Sequence, residues 1–497
     1  MGVAPYHFLK NSFMSFVKKE KKVIWPYILI IFLIIFLGLL YWGYVFVKNL
    51  TPEKILQSNI VKQELGQEKT DFYLSLARFL GFDNPKTYLI LFQNNTELRP
   101  GGGFIGVYAI LKVNKGHLEI ITIDGTENLD RNAPAEWKSV PPEIISKHLK
   151  VDRWYFRDSN WSPDFSESAK KALEFYKAEG GVEAENINVV IAFTPTVLEK
   201  LLEITGSFVV NGIEFKAENV IEKLEYEVEY GYAKSGIAFT DRKKIIRPFM
   251  NVLLEHLQMN LFDNLHNYEN LFKEMIKQKQ IVFYSTEADW QKNIEDNKWD
   301  GKLDNNYSDY LLWVDANLAS LKTDHAIKRE LKYSIRPQDD RYIATVEMIY
   351  NHKGVFDWRT SRYRTYARIF VPIGSEWIST KGAMNWDRTE EAGTTDIGVE
   401  LNRQWFGAFI SIEPGKKDSL IFEYYLPKEI KEQIDKGQYD LSIQKQLGTI
   451  DHTLTLDLDF AKNIIKAVPA ENSDDWGDNF YKIKTDLTVD RYFVVNF

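Results

Sequence analysis

The sequence predicts an extracytoplasmic α/β domain followed by an all-β sandwich-like domain, with one N-terminal transmembrane helix. Residues 23–47 form an apolar run without a single charge. Between residues 86 and 327, short apolar runs typical of buried strands alternate with stretches of helical periodicity, as in α/β folds. From residue 328 onward the apolar residues follow the two-residue period of strands, with turn signals between them, which is typical of β-sandwiches.

The apolar run is long enough to cross a bilayer. It contains 25 residues, of which 17 are Ile, Leu, Phe or Val. A helix rising about 1.5 Å per residue crosses a hydrocarbon core of ~30 Å with about 20 residues. Trp25 and Tyr27 near one end, and Trp42 and Tyr44 near the other, suit the two membrane interfaces. We therefore expect a membrane-spanning helix.

The charges that flank this run predict its orientation. Five lysines precede it, whereas Lys48 alone follows it closely, and the positive-inside rule then places residues 1–22 in the cytoplasm. The run is longer than the apolar core of a signal peptide, and residues 47–51 offer no small-residue cleavage site. We expect an uncleaved, single-pass signal anchor in the cell membrane, with the bulk of the chain outside.

The part of the chain beyond the membrane is acidic and free of cysteine. The formal charge is −8 for all 497 residues, and removing the +4 of residues 1–22 leaves −12, so nucleic acid is not an expected partner. The absence of cysteine excludes disulfides and thiolate metal sites. We divide the remainder into a juxtamembrane helical segment at residues 48–85, an α/β domain at residues 86–327 and a β domain at residues 328–497.

The individual elements follow from their periods and turn signals. Asn114, Lys115 and Gly116 form a hairpin signal, and residues 124–153, polar and with three prolines, are expected to form a long excursion over the surface. The strands predicted in the α/β domain are 87–92, 106–113, 117–123, 188–193 and 280–284. The predicted helices, including the juxtamembrane one, are 51–80, 166–178, 195–204, 217–229 and 242–279. The strands predicted in the β domain are 330–336, 342–351, 364–371, 405–412, 419–426, 440–446 and 453–458.

The glycine-rich stretch at residues 101–106 formally matches the dinucleotide-binding pattern G-x-G-x-x-G. That site needs a helix directly after the glycines, whereas residues 107–111 have the character of a strand, so we reject a dinucleotide site. Two alternatives remain. The glycines form a tight turn into a strand, or their consecutive N–H groups form an anion nest beside Arg99.

A second polar cluster, at residues 157–165, stands directly before a predicted helix. The carboxylates of Asp158 and Asp164 could together coordinate one divalent cation. The guanidinium of Arg157 could bind a phosphate through two hydrogen bonds. The alternative is a capped helix entry, because Ser, Pro and acidic residues stabilise a first helical turn without any ligand.

Both clusters belong to a longer resemblance. Residues 93–106, which read Gln-Asn-Asn-Thr-Glu-Leu-Arg-Pro-Gly-Gly-Gly-Phe-Ile-Gly, closely resemble a signature of DUF4012, a bacterial family of unknown function. Residues 157–165, 299–303 and 309–318 do so as well. The resemblance runs from about residue 86 to about residue 446. It implies a membrane-anchored envelope protein without an established activity.

A second resemblance is to the LytR-CpsA-Psr family, whose members attach lipid-linked glycopolymers to the cell wall. The order of elements is similar: an apolar strand at residues 89–92, then Arg99, two strands at residues 107–123, Asp124, and a strand and helix at residues 189–206. The sequence departs from that family in having no arginine before the aspartate.

This resemblance implies a Mg²⁺-dependent phosphotransferase, in which Arg157 would replace the missing arginine as a ligand of pyrophosphate. The implied catalytic residues are Arg99, Asp124 and Arg157, and the implied metal ligands are Asp158 and Asp164. The implied ligand-binding residues are Gly101, Gly102, Gly103 and Asn160.

Two functions from different classes therefore stay open. The first is a phosphotransferase that moves a polyprenyl-pyrophosphate-linked glycopolymer to the wall, with the lipid held in an apolar groove between sheet and helices. The second is a non-catalytic envelope scaffold, or a module that binds glycan, peptidoglycan or another protein through the β domain. A deep apolar pocket ringed by the predicted catalytic residues would favour the enzyme.

Overall fold

The computed structural model describes residues 63, 70, 74, 77–234, 236–259, 264–389, 391–450, 452–472 and 476–497. The predicted cytoplasmic tail at residues 1–22 and the predicted transmembrane helix at residues 23–47 lie outside the described residues, as does most of the predicted juxtamembrane segment. Among the described residues, no helix is both long enough and apolar enough to span a membrane.

The α/β region is built on a five-stranded sheet with the order β3-β2-β1-β4-β7. Its central strands β1 and β4 are parallel, and the other neighbours are antiparallel. The strands are β1 (Lys86–Asn94), β2 (Phe104–Asn114), β3 (His117–Gly125), β4 (Val189–Phe193) and β7 (Ile281–Ser285). A separate two-stranded ribbon consists of β5 (Phe208–Val210) and β6 (Ile213–Phe215).

Both faces of β1, the central strand of the five-stranded sheet, are buried, which explains the continuous apolar run of this strand. Tyr88 and Ile90 of β1 enter one hydrophobic core, whereas Leu89 and Leu91 enter a second core on the opposite face. Successive side chains of a strand point to opposite faces, so a strand covered on both sides is apolar throughout. The predicted hairpin is confirmed, with Lys115 at φ +49° in the turn between β2 and β3.

Helices cover the two faces of the sheet. Those of the α/β region are α1 (Thr126–Asn132), α2 (Glu143–Leu149), α3 (Phe165–Ala178), α4 (Thr196–Thr205), α5 (Val220–Tyr226), α6 (Tyr232–Lys234), α7 (Ile246–Met259), α8 (Leu265–Lys277) and α9 (Ala288–Asp296). A π-helical turn at Glu227–Gly231 joins α5 to α6, and a 3-10 turn at Phe239–Ile245 precedes α7. The stretch expected as an irregular surface excursion, residues 124–153, instead contains α1 and α2, which is a correction.

The β-rich region consists of two sheets that share one hydrophobic core. The six-stranded sheet has the order β12-β15-β10-β9-β17-β19, and the seven-stranded sheet has the order β13-β14-β11-β8-β16-β20-β18. Its strands are β8 (Asp309–Asn317), β9 (Ile327–Gln338), β10 (Arg341–His352), β11 (Tyr363–Pro372), β12 (Glu376–Lys381), β13 (Asp396–Glu400), β14 (Arg403–Ile412), β15 (Lys417–Tyr425), β16 (Gln438–Gln444), β17 (Thr453–Asp459), β18 (Lys466–Val468), β19 (Phe480–Asp486) and β20 (Arg491–Asn496). One helix, α10 (Lys428–Asp435), lies between β15 and β16.

The predicted succession of an α/β region and a β-rich region is confirmed. Each of the seven strands predicted beyond residue 328 overlaps an observed strand. Strand β8 was not predicted, although it lies at the centre of the seven-stranded sheet. All nine of its residues are buried, so it lacks the alternation by which the other strands are recognised.

Candidate functional site

Arg99 lies in the loop that joins β1 to β2, residues 95–103, which we name the signature loop. Its side chain is 5% exposed, and its Nε donates to Asp158 Oδ1 at 2.8 Å. Its Nη1 donates to the carbonyl oxygen of Asn317 at 2.9 Å, and its Nη2 lies 3.4 Å from Glu97 Oε1. Burial alone would lower the pKa of Arg99, but the two carboxylates outweigh it and raise this pKa. The guanidinium is therefore held on three sides by the protein itself.

The glycines of the signature loop allow close approaches between chain segments. Gly101 N–H donates to the Asn160 carbonyl at 2.9 Å, and the Asn160 side-chain amide donates to the Gly103 carbonyl at 2.7 Å. Gly102 has a φ of +129°, and a Cβ there would lie 2.1 Å from Gln93 Oε1. Its N–H bonds back to a carbonyl of the loop at 3.0 Å. Of the two alternatives, this geometry fits the tight turn into a strand better than the anion nest.

The two predicted metal ligands bond protein groups. Asp158 pairs with the arginine of the signature loop, and Asp164 caps α3 by accepting from Glu167 N at 3.3 Å. The second oxygen of Asp164 accepts from Leu303 N at 3.1 Å. Among the described residues, no group of three or more His, Cys, Asp or Glu side chains could hold a metal ion. The Mg²⁺ site stays a prediction, while the capped helix entry is observed.

The remaining two predicted catalytic residues are also engaged locally. Asp124 Oδ1 accepts from Gly125 N at 2.7 Å and from Asn128 Nδ2 at 2.8 Å. Arg157 forms an ion pair with the buried Asp130. Neither Asp124 nor Arg157 bonds another predicted site residue in the described part of the chain. The structure thus unites Arg99 with Asp158, and the glycines with Asn160, but does not assemble the full predicted set.

The signature loop joins the α/β region to the β-rich region. Asn317 N donates to the carbonyl of Leu98 at 3.0 Å, and Leu98 N donates to Asp324 Oδ2 at 3.0 Å. Asp324 N donates to the carbonyl of Thr96 at 3.1 Å. The side-chain amide of Gln446 donates to a third loop carbonyl at 3.1 Å. These bonds give the loop a structural role that the sequence did not reveal.

An apolar cavity of about 170 Å³ opens between the end of β1 and the helices on one face of the sheet. We name it the apolar cavity. Its hydrophobic lining residues include Phe92, Phe104, Val107, Leu198, Ile221, Leu224, Val228, Ile246, Phe249 and Met250. Three acidic and three basic residues also line it, namely Glu97, Glu225, Glu229, Arg242, Lys243 and Lys322. None of the predicted catalytic residues is among its lining residues.

The cations of this cavity form one connected network with two glutamates. Lys322 Nζ lies 3.1 Å from Glu229, and Arg242 Nη1 lies 2.6 Å from the same carboxylate. Arg242 Nε also lies 3.2 Å from Glu127, which Lys243 contacts as well. Burial lowers the pKa of Lys243, although Glu127 opposes this effect. Burial would raise the pKa of Glu229, but Lys322 and Arg242 outweigh it and lower this pKa.

These cavity residues were not predicted, although the sequence carries a signal for two of them. Residues 241–247 read Asp-Arg-Lys-Lys-Ile-Ile-Arg, a basic cluster that leads directly into an amphipathic helix. Such clusters commonly bind anions or membrane surfaces. Lys322 could not be found in this way, because it comes from the segment between β8 and β9 and reaches the cavity only in the folded chain.

Partly to largely exposed aromatic residues lie on α5, on the two turns that flank α6 and at residues 356–358, and we name them the aromatic rim: Tyr226, Tyr230, Phe239, Phe356 and Trp358. The rings of Tyr226 and Tyr230 are stacked with centroids 5.9 Å apart, and Trp358 packs edge-on against both at 5.5 and 5.6 Å. Tyr230, Phe239 and Phe356 are 47%, 52% and 62% exposed. Side chains of this size are normally buried, so the rim is a candidate contact surface.

Comparisons with curated proteins and with solved structures give no indication of function. No curated protein matches the chain. Among solved structures, the crystal structure of a two-domain M1 zinc metallopeptidase mutant bound to L-tryptophan aligns at 8% identity with a TM-score of 0.16. The alignment covers 34% of this chain and 43% of that protein, and a similarity this low carries no argument about fold or activity. The resemblance to the LytR-CpsA-Psr family stays a prediction.

The family match falls on the α/β region. Residues 83–229, which contain β1–β6, α1–α5 and the signature loop, match the family model described as "Protein of unknown function (DUF4012)". The resemblance to DUF4012 found in the sequence is thereby confirmed for residues 83–229.

Proposed function

We propose that this protein is a membrane-anchored cell-envelope protein that binds a polyprenyl-pyrophosphate-linked glycan. Residues 23–47 are its anchor, the N-terminus is cytoplasmic, and the sandwich-like β-rich region stands outside the membrane. The observation that supports the proposal is the apolar cavity with cations on its wall. An amphiphile with an apolar chain and an anionic head suits that combination.

The apolar wall favours a hydrocarbon chain as ligand. Aromatic and branched aliphatic side chains from β1, α4, α5 and α7 face the cavity, and burying one CH₂ group contributes about 0.8 kcal/mol. Leu198, Ile221 and Leu224 come from two neighbouring helices. Because Phe92 of β1 lines the same cavity, a prenyl chain that lies between these helices would also contact the sheet. A volume of about 170 Å³ accommodates the first part of a long prenyl chain.

The cation network favours an anionic head group. Arg242 and Lys322 share the carboxylate of Glu229, so a pyrophosphate placed there would exchange one carboxylate for several phosphate oxygens. Hydrogen bonds between Arg or Lys and phosphate are among the stronger ones in proteins. The head group thus binds in competition with Glu229.

The aromatic rim and its charges suit a bilayer surface. Tyr and Trp side chains favour the interface between hydrocarbon and head groups. Residues 232–247 carry five basic side chains and one acidic one, a net charge of +4 in a chain that is acidic as a whole. Arg359, beside Trp358, bonds Glu225 of the cavity wall at 2.6 Å. Rim and cavity are therefore connected, and a lipid could enter from the membrane.

Binding is better supported than transfer. Arg99, Arg157 and Asp158, to which the transferase hypothesis assigns chemistry, are bonded to one another or to other protein groups. Their catalytic roles stay predictions that rest on the resemblance alone. The present geometry supports a protein that holds the lipid carrier, with the β-rich region available for the glycan.

The test is calorimetry with the full-length chain in lipid nanodiscs and water-soluble farnesyl pyrophosphate as probe. We expect micromolar binding, at least tenfold weaker in Leu224→Trp, which fills the cavity. Leu173→Trp is the matched control, because Leu173 is also a half-buried helical leucine but packs against the other core. Farnesol should bind more weakly than the pyrophosphate, and Lys322→Gln should reduce that difference. Equal binding by the two tryptophan variants would refute the proposed lipid site.

A further inference from the structure

A second, larger cavity lies at one end of the β-rich region. It has a volume of about 700 Å³ and shares no lining residue with the apolar cavity. Its walls come from the segment before β8, the turn between β13 and β14, the end of β11 and the first turn of α10. Polar groups that suit sugar hydroxyls line it, among them Asn305, Ser308 and Asn402. We name it the polar cavity.

Arg403 in the wall of the polar cavity is a buried cation without a carboxylate partner. The residue is 4% exposed, and its guanidinium lies over the ring of Tyr310 at 3.9 Å. One nitrogen donates to the carbonyl oxygen of Asp304, while the buried Nε has no hydrogen-bond partner. It forms no ion pair with any described carboxylate. Burial lowers the pKa of Arg403, and the nearby Tyr310, Asp304 and Asp309 oppose this effect without cancelling it.

Such an arrangement is costly unless an anion completes it. Buried charges in proteins are almost always paired, because removing a lone charge from water costs several kcal/mol. Each of the other buried arginines in the described part of the chain pairs with a carboxylate: Arg99 with Asp158, Arg329 with Asp315 and Asp324, and Arg368 with Glu400. Arg403 is the exception because it forms no ion pair, and it lines the wall of the polar cavity.

The helix that faces the cavity adds a second anion-attracting group. Helix α10 has eight residues, and its N-cap, Pro427, offers no side chain to bond the first free N–H groups. Pro427, Lys428 and Glu429 all line the cavity. A helix N-terminus carries a partial positive charge that favours anions. Counting the charged lining residues, three are basic and two acidic, namely Arg341, Arg403, Lys428, Glu376 and Glu429.

We propose that the polar cavity binds an acidic sugar residue of an envelope polymer, whose anionic group contacts Arg403 and the N-terminus of α10. The anion is a carboxylate, as in a uronic acid, or a phosphate, as in a phosphate-linked polymer. The neighbouring amide and hydroxyl side chains bind the sugar hydroxyls. This site does not depend on the lipid site, so each can fail without the other.

The experiment is calorimetry on the full-length chain in nanodiscs with three probes: trigalacturonic acid, a glycerol phosphate trimer and neutral maltotriose. We expect one of the anionic probes to bind at least tenfold more tightly than maltotriose, and the one that does identifies the source of the anion. Arg403→Met should abolish the difference between the anionic and neutral probes, and Arg403→Lys should restore part of it.

A charge reversal at the exposed edge of the polar cavity tests the proposed site without disturbing the hydrophobic core. Lys428 is 66% exposed and pairs with Asp340, and Lys417 is 51% exposed and pairs with Glu330 outside the cavity. Lys428→Glu should weaken anion binding about fivefold to tenfold, whereas Lys417→Glu should leave it unchanged. Equal affinity for anionic and neutral probes, or equal effects of the two lysine variants, would overturn the proposal.

Discussion

Gly448 approaches Gly102 so closely that a Cβ on Gly448 would lie 2.3 Å from the carbonyl oxygen of Gly102. The carbonyl of Gly448 in turn accepts from the side-chain amide of Asn95 at 2.9 Å. Two glycines 346 positions apart in the chain thus form one contact between the α/β region and the β-rich region.

This contact predicts the result of adding a methyl group. Gly448 and Gly415 both have a φ of +75°, but only Gly448 has atoms within 4 Å of the added Cβ. Alanine at either position incurs the left-handed strain of about 1–2 kcal/mol, and Gly448→Ala adds overpacking of about 1–3 kcal/mol. Urea unfolding of the full-length chain, followed by tryptophan fluorescence, should show Gly448→Ala as clearly less stable than Gly415→Ala. Equal stabilities would show that the contact is not rigid.

Arg99→Ala should be strongly destabilising. It would leave the largely buried side chains of Asp158 and Glu97, which are 13% and 18% exposed, without their cation, a loss of up to about 3–5 kcal/mol. The control is Arg336→Ala, which breaks an ion pair with Asp457 whose partners are 44% and 42% exposed, worth about 0–1 kcal/mol. Denaturant unfolding compares the two free energies. A loss in Arg99→Ala as small as that of the control would contradict a structural role for Arg99.

The buried carboxyl pair Asp130 and Glu179 predicts a pH dependence of stability. Burial and, to a smaller extent, the neighbouring Asp130 together raise the pKa of Glu179 to about 9. One oxygen of Glu179 accepts from Phe156 N at 2.8 Å, while the other is buried without a partner. The folded state keeps the proton that the unfolded chain loses near pH 4.5, so stability falls as the pH rises from there toward 9.

Glu179→Gln should remove this dependence, because glutamine imitates the protonated acid. The free energy of unfolding of the variant, minus that of the natural chain, should therefore increase as the pH rises, by at most about 1.4 kcal/mol per pH unit. Unfolding free energies at pH 5.5, 6.5 and 7.5 give the slope. A difference between the two proteins that does not change with pH would show that Glu179 is ionised in the folded state.

The aromatic rim predicts bilayer contact at identified positions. The chain has no cysteine, so Phe356→Cys or Phe239→Cys provides one site for a fluorescent label. In nanodiscs, spin-labelled lipids should quench a label at residue 356 or 239 but not one introduced by Ile465→Cys. Ile465 is a suitable control because it is 75% exposed and lies in the β-rich region. Equal quenching at all three positions would contradict membrane docking by the rim.

The sequence was informative where structure depends on neighbouring residues. The apolar run of β1, the hairpin at Lys115 and the alternation in β10 all arise from local period and turn chemistry, and they were predicted. The signature at residues 93–106 was recognised as unusual. Its role was not apparent, because the group that accepts from Arg99 lies on Asn317, 218 residues away.

The same reason explains why the charged residues that line the two cavities were not predicted. Lys322 joins Glu229 across the junction of the two regions, and Arg403 is unusual because it is buried and yet forms no ion pair with any described carboxylate. A single sequence carries no signal for the spatial proximity of two residues that are far apart in the chain, or for the absence of an ion pair in the folded protein. Arg99 and Arg157, which stood out in the two polar clusters, are bonded to carboxylates within the fold, whereas Arg403 in the wall of the polar cavity lies in a segment without a motif.

The bonds of the signature loop bear on how the segment that matches the family model can be studied in isolation. The segment that matches the family ends at residue 229, but strand β7 and the loop's acceptors and donors at Asn317, Asp324 and Gln446 all lie beyond it. A fragment limited to the matched residues would lose an edge strand and expose several buried amides and a guanidinium. We therefore expect the matched segment to fold only together with the rest of the described chain, and joining it to an unrelated neighbour would require a replacement for each of those bonds.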